Sequence, residues 1–344
     1  MPVNLKDVAK LAGVSVPTAS RVLSGSTYPV LPELRDRVLK AAEDLDYVPN
    51  VQAQGLLRGN TGMIGVLAGD VGDPYFSEMI NGIHDVATQR RLLVAICQTE
   101  RDVEQELAYF KMLQAHRAAV VILAGSGLDD PDYQARLTAR AKSFVSGGGR
   151  VVSIGTPILE VDNVRVDNTA GATDLAQHLV DLGHRHVGVL AGPANVGSTA
   201  ERLTGLRKVI EGAGGVLTVR HGAPTRDDAY DGAGGLMEQF PDITALVGSA
   251  DQMAMGAMAW LRDQGRRVPE DVSVAGFNDI DVARDLSPSL TTVRLPLRQM
   301  GETALRIALE EDGNEEAATV RWLGTELLVR KSTGPVRQAP GPAK

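Results

Sequence analysis

Cysteine, aromatic residues and long apolar runs are all scarce in this 344-residue chain: one cysteine, two tryptophans, five phenylalanines and six tyrosines. The lone Cys97 excludes an intrachain disulfide and a thiolate metal cluster, and within the apolar run LLVAIC it reads as an inert buried thiol. No apolar run reaches the ~20 residues that span a bilayer. The N-terminus MPVNLKDVAK has no apolar signal core, so neither export nor membrane insertion is expected and the cytoplasm is the expected compartment. Net positive charge is lacking as well, the formal charge being −8. A chain of this length is expected to hold about two or three structural units.

The acidity is unevenly placed. Residues 1–60 carry seven basic and six acidic side chains, a net of +1, which leaves −9 for the remainder. Within the first sixty residues Leu5, Val8, Ala9 and Ala12 recur at helical spacing until Gly13, and Ser15 opens a second helix as its N-cap. Ala19, Val22 and Leu23 share one face of that helix; Val16, Pro17, Ser20 and Arg21 share the other. Two short helices about a glycine turn, with a small, polar and basic outer face, form the pattern of a helix-turn-helix. A generic helical cap with Arg21 as a solvated charge is the alternative. A third helix follows, Pro32 in its first turn and Leu34, Val38, Ala42 and Leu45 inward, ending before Tyr47-Val48-Pro49.

Residues 49–59, PNVQAQGLLRG, offer Asn50 as a cap, a helical run over 51–58 and Gly59 as a stop. Two turns are too short to be stable alone, and Gly55 costs about 1 kcal/mol relative to alanine. This segment is therefore expected to order only against DNA and a second copy, with Leu56 a wedge for the minor groove. A plain linker is the alternative.

LKDVAKLAGVSVPTASRVL, followed by Tyr47, Val48, Pro49, Asn50, Ala53 and Leu56, resembles the lactose-repressor (LacI) family of bacterial transcription regulators. The resemblance continues through IGV at 64–66, DPYF at 73–76, VDNTAGA at 166–172, HLVDLGHRHVGVLAGP at 178–193, DQMAMGA at 251–257 and SLTTVRLP at 289–296. It implies dimeric binding to a near-palindromic operator, with Val16, Pro17 and Arg21 at base-reading positions and Leu56 at the intercalating one. The candidate DNA-facing set is Lys6, Ser15, Val16, Pro17, Thr18, Ser20, Arg21, Tyr47, Asn50, Ala53 and Leu56. Two departures stand out. Val16 and Pro17 have no side-chain donors, which leaves direct readout to Arg21, thymine methyl contacts and DNA shape; and Leu31 stands where the family has a polar helix cap.

From residue 62 onward, apolar runs (MIGVLA, LLVAIC, VVILAG, RVVSIG, then HVGVLAG, ALVGSA, VSVAGF) alternate with amphipathic stretches. This is the βαβ signature, passed through twice. The expected fold is thus an all-α helix-turn-helix head plus an α/β part of two doubly wound parallel-sheet lobes, periplasmic-binding-protein-like, with a ligand cleft at the strand ends. The expected divisions are 1–48 for the head, 49–61 for the hinge helix, 62–157 with 291–318 for one lobe, 158–290 with 319–334 for the other, and a disordered tail over 335–344. That proline-rich tail has no heptads, so a dimer is expected.

Catalytic signatures are lacking. SGGGR at 146–150 and GAGG at 232–235 match no phosphate loop, and neither a serine elbow nor a metal pair joins His178, His184 and His186. Met253, Met255 and Met258 read as core. No enzyme activity, cofactor or metal is expected. Asp73, Tyr75 and Phe76 follow the first strand; Asp251 and the Asn278-Asp279 pair follow later ones. The resemblance implies that Tyr75 and Phe76 wall the effector, that Arg202 hydrogen-bonds it, and that Asp251, Asn278 and Asp279 meet hydroxyls. Capping by Asp251 and a turn role for Asp279 are the rivals. Sugar-binding members commonly have Asn before Asp251, Asp at 278 and an aromatic near 224, where this chain has Ala250, Asn278 and Pro224.

The expected function is that of an effector-responsive repressor, dimeric on duplex operator DNA and controlled by a small molecule, a carbohydrate by analogy, bound between the lobes. Effector binding would alter the lobe angle and melt residues 50–58. A two-lobed solute-binding protein, or an α/β enzyme carrying a DNA-binding head, are the alternatives.

Overall fold

The computed structural model describes residues 3–24, 28–48, 61–310 and 318–336. The expected helix over 51–58, with Asn50, Ala53 and Leu56, and the tail from 337 onward lie outside the described residues.

The head consists of α1 (Leu5–Ala12), α2 (Val16–Leu23) and α3 (Pro32–Asp44). Asn4 starts α1 reciprocally: its Oδ1 accepts from Lys6 N at 2.9 Å while its own N–H donates to Asp7 Oδ2 at 2.9 Å. Such a box satisfies amides that a helix start leaves open. Gly13 ends α1 in the left-handed region, φ 61°, and Arg37 Nη2 lies where a side chain at that position would be. The head's core is made of small residues, Val8, Ala9, Ala12, Ala19, Val22, Val38, Ala41 and Ala42. Small volumes let three short helices approach closely enough to exclude water.

The remainder forms two six-stranded sheets. The first runs β11-β5-β4-β3-β1-β2, where β1 is Met63–Ala68, β2 Leu93–Gln98, β3 Val120–Ala124, β4 Arg150–Ile154, β5 Asp162–Val166 and β11 Val320–Leu323. All its pairings are parallel. The second runs β12-β10-β9-β8-β6-β7: β6 His186–Ala191, β7 Val216–His221, β8 Ala245–Gly248, β9 Ser273–Asn278, β10 Thr291–Arg294 and β12 Glu326–Leu328. It is parallel except for β12 against β10. Central strands such as β8 and β9 are buried throughout, and β3 in all but its last residue, consistent with parallel sheets covered by helices on both faces. The edge strand β2 is half open, and Cys97 on it is only partly buried, its thiol pushed up by that burial.

The lobe divisions differ from those expected. β5 and β11 belong to the first sheet and β10 to the second, so the chain crosses between lobes at 166–168, 294–297 and 323–326. A short strand is recruited by whichever sheet presents a free edge in register; β5 pairs Val152↔Asp162 through Ile154↔Val164, and β11 then extends it. The helix Leu297–Leu309 returns to the first lobe and crosses the helix Pro74–Gln89 at glycines: a Cβ on Gly82 would strike the carbonyl of Arg298, and one on Gly301 that of Met79. Only glycine permits backbones to meet this closely.

Candidate functional site

Two sites are assembled. On the head, Ser15 caps α2, its Oγ accepting from Thr18 N at 3.2 Å and lying 2.8 Å from Thr18 Oγ1, while Pro17 sits in the first turn. Ala19 and Val22 are buried, which turns Val16, Pro17 and Arg21 outward; Thr18 and Ser20 are half-buried. Lys6 is exposed on α1, and Tyr47 packs partly against the head's core. Leu31 is 69% exposed and makes no side-chain cap bond to α3, so the missing polar cap is not replaced. Sequence reading overlooked Tyr28, over whose ring the Arg21 guanidinium lies, 4.3 Å from the centroid.

The second site is a cleft of about 370 Å³ between the lobes, toward the smaller end of ligand pockets, about 300–1,000 Å³. Asp73 N-caps the helix Pro74–Gln89: its Oδ1 accepts from Tyr75 N at 2.9 Å and, across the cleft, from Gln252 Nε2 at 2.7 Å. Burial raises the Asp73 carboxyl above its ordinary range, opposed by those two hydrogen bonds. Tyr75 and Phe76 meet edge to face, centroids 5.0 Å apart.

Arg202 is 7% exposed on the helix Gly197–Gly212. Its Nε donates to Asn168 Oδ1 at 2.9 Å, Nη1 to the carbonyl of Ser249, and Nη2 reaches Asn278 Oδ1 at 3.5 Å. Its Cζ lies over Phe277, 4.7 Å from the ring centroid. These acceptors are neutral oxygens, and burial lowers the guanidinium's affinity for its proton. A desolvated cation without a contacting carboxylate gains from a ligand's oxygen.

Asp73, Tyr75, Phe76, Arg202 and Asn278 thus share the cleft; Asp251 and Asp279 do not line it. Asp251 is fully buried beneath it, Oδ1 accepting from Thr292 Oγ1 at 2.6 Å and Oδ2 from Ile280 N at 2.9 Å, and burial raises its carboxyl to about 7. It is not the helix cap either, since Ala250 occupies the N-cap position. Asp279 turns away to pair with Arg330 at 2.6 Å and Arg294 at 2.9 Å. Both aspartates were expected at the ligand from their place after strand ends together with the family resemblance. Each side chain has instead found donors behind the cleft wall.

The cleft also gathers Gln98, Glu100, Arg101 and Gln252, which sequence reading missed. Gln98 ends β2 and Glu100 and Arg101 follow it, and the rule that ligands meet the carboxyl ends of strands would have found them had it been applied there. Glu100 and Arg101 both have positive φ, 51° and 60°, a conformation costly for side-chain-bearing residues and often retained at functional sites.

Residues 4–50 match the family described as "Bacterial regulatory proteins, lacI family", and residues 176–333 match the "Periplasmic binding protein-like domain". The ribose operon repressor of Halalkalibacterium halodurans is 32% identical over 330 residues, 96% of each chain. A lac repressor dimer bound to operator and the anti-inducer ONPF superposes with a TM-score of 0.84 at 26% identity, covering 97% of this chain and 100% of that one. A complex of the transcriptional regulator CelR with cellobiose superposes at 0.69 with 29% identity, over 96% and 99%.

Proposed function

The chain belongs to the lacI family of bacterial regulatory proteins, and from this we propose that it is an effector-responsive repressor, dimeric on operator DNA, whose effector is a carbohydrate. The observation that carries the effector reading is the set of polar groups facing one another across the cleft. Amides (Gln98, Gln252, Asn278), carboxylates (Asp73, Glu100) and the buried Arg202 offer donors and acceptors from both lobes, beside the Tyr75–Phe76 wall. A polyhydroxylated neutral ligand satisfies such a lining, because each hydroxyl both donates and accepts. The cellobiose of the CelR complex falls in this class.

The head accounts for the DNA side. The net charge of +1 over residues 1–60 makes electrostatic anchoring by one copy weak. Pairing two heads through the lobes doubles the phosphate contacts and makes the second half-site encounter intramolecular. A ligand held by both lobes favours one lobe angle over others, and the difference in affinity for the two arrangements sets how far operator binding shifts.

The test uses the full chain and duplexes selected by it from a random pool. Operator affinity is read by gel shift across a sugar panel that includes ribose and cellobiose, with sugar binding read by calorimetry. At least one sugar is expected to bind and to change operator affinity by about 5- to 150-fold. Arg202→Met is expected to abolish that response and leave sugar-free operator affinity intact. Selection of no duplex sequence would overturn the repressor reading; selection of a sequence with no sugar bound would overturn the carbohydrate reading alone.

A further inference from the structure

Base reading by this head falls to very few side chains. Val16 and Pro17 present no donors, and Ser20 is half-buried, leaving Arg21 as the long donor on the outer face of α2. An exposed arginine ordinarily samples many rotamers, and fixing one on DNA contact costs affinity. Here the guanidinium is already placed, its Cζ over the ring of Tyr28 at 4.3 Å from the centroid.

The Tyr28 ring is itself supported from the sequence. Pro29 follows it, which confines the Tyr28 backbone to extended conformations. Tyr28 remains 59% exposed, so the ring stands at the surface beside α2 and is not part of the head's core. The chemistry of the contact matters. Guanidinium donors lie in the plane of the group, so stacking orients that plane while leaving its N–H groups free, whereas a carboxylate partner would consume them. Among the described residues Arg21 forms no salt bridge. A plane held in this way suits bidentate donation to O6 and N7 of a guanine in the major groove.

We propose that Tyr28 is a positioning residue for base reading, its ring preorganising the Arg21 guanidinium so that the arginine discriminates a guanine in each half-site. The proposal rests on the reading of the head as DNA-binding. Tyr28 acts through Arg21, so its contribution belongs to sequence discrimination and not to uniform affinity for phosphate.

The experiment uses the full chain and its selected duplex, substituted one base pair at a time. Arg21→Ala identifies the G·C pair whose discrimination depends on the arginine. At that pair Tyr28→Leu is expected to reduce the preference for G·C by about two- to five-fold, the range of an exposed cation–π contact. Preference elsewhere is expected to stay unchanged, and Tyr28→Phe is expected to behave as the wild type because it keeps the ring. Uniform weakening on all duplexes by Tyr28→Leu, with discrimination kept, would overturn the proposal in favour of a phosphate or folding role. Equal loss in Tyr28→Phe would overturn it in favour of the hydroxyl. If Arg21→Ala alters discrimination at no position, arginine reading itself fails, a result separable from either Tyr28 outcome.

Discussion

Gln252 and Asp73 join the two lobes directly across the mouth of the cleft, the amide Nε2 donating to the carboxylate Oδ1 at 2.7 Å. The same oxygen caps the helix Pro74–Gln89, so the bond ties a helix start in one lobe to a helix start in the other. Gln252→Ala removes the tie and leaves the cap intact. Thermal stability is expected to change little, while effector affinity falls about five-fold, the worth of a hydrogen bond of about 1 kcal/mol. Calorimetry on the variant with its sugar checks this; unchanged affinity would show that the contact does not favour the closed lobes.

Asp251 gives the protein a pH dependence with a definite sign. Burial lifts its carboxyl from the ordinary 3.8 to about 7. The folded-state value lies above the unfolded one, so between about pH 4 and 7 the native state holds a proton that the unfolded chain has lost. Stability contributed by this group therefore declines as pH rises through that window. Asp251→Asn should remove the decline, since its Oδ1 can accept from Ile280 N while its Nδ2 donates to Thr292 Oγ1. Denaturation at pH 5 and pH 8 is expected to show the wild type losing on the order of 3 kcal/mol more than the variant. Equal losses would mean that another group governs the slope.

The glycine crossing of the helices Pro74–Gln89 and Leu297–Leu309 leaves no room for a methyl group. Gly82→Ala and Gly301→Ala are each expected to destabilise by about 1–3 kcal/mol, the usual cost of overpacking. Gly212→Ala is the matched control, at a helix end where an added Cβ meets nothing within 4 Å. It should be neutral or stabilise by about 0.4–1 kcal/mol. Thermal unfolding of the three variants tests the contrast.

Leu31 starts α3 without any side-chain cap, largely in solvent. Leu31→Ser supplies an oxygen for an open amide and exposes less apolar surface. The head is expected to gain about 1 kcal/mol, visible as slower amide exchange across residues 33–44. No gain would mean that the backbone at this position holds the new oxygen out of reach.

Local chemistry made much of this molecule readable. Gly13 and Ser15 punctuate α1 and α2 as their residue types require, and the alternation of apolar runs yields both parallel sheets. Sheet membership of β5, β10 and β11 was not readable, because a short strand carries the same pattern in either lobe and its neighbour decides. In the cleft, Asp73, Tyr75, Phe76, Arg202 and Asn278 were recognisable from strand ends and motif resemblance. Asp251 was misplaced because a sequence shows that an aspartate opens a helix but not which way it points; Thr292 and Ile280, distant along the chain, draw it inward. Tyr28 was missed since nothing in an isolated tyrosine signals an arginine above it.

The repeated passage of the chain between the sheets, at 166–168, 294–297 and 323–326, restricts what the molecule can do with a bound ligand. Lobes on a single tether could wander in any direction, whereas lobes sewn together along a seam keep one easy axis and resist twisting or sliding about the others. News of an occupied cleft therefore leaves the lobes as a swing of one defined sense, and whatever the heads receive is a change in spacing or tilt, not a general loosening.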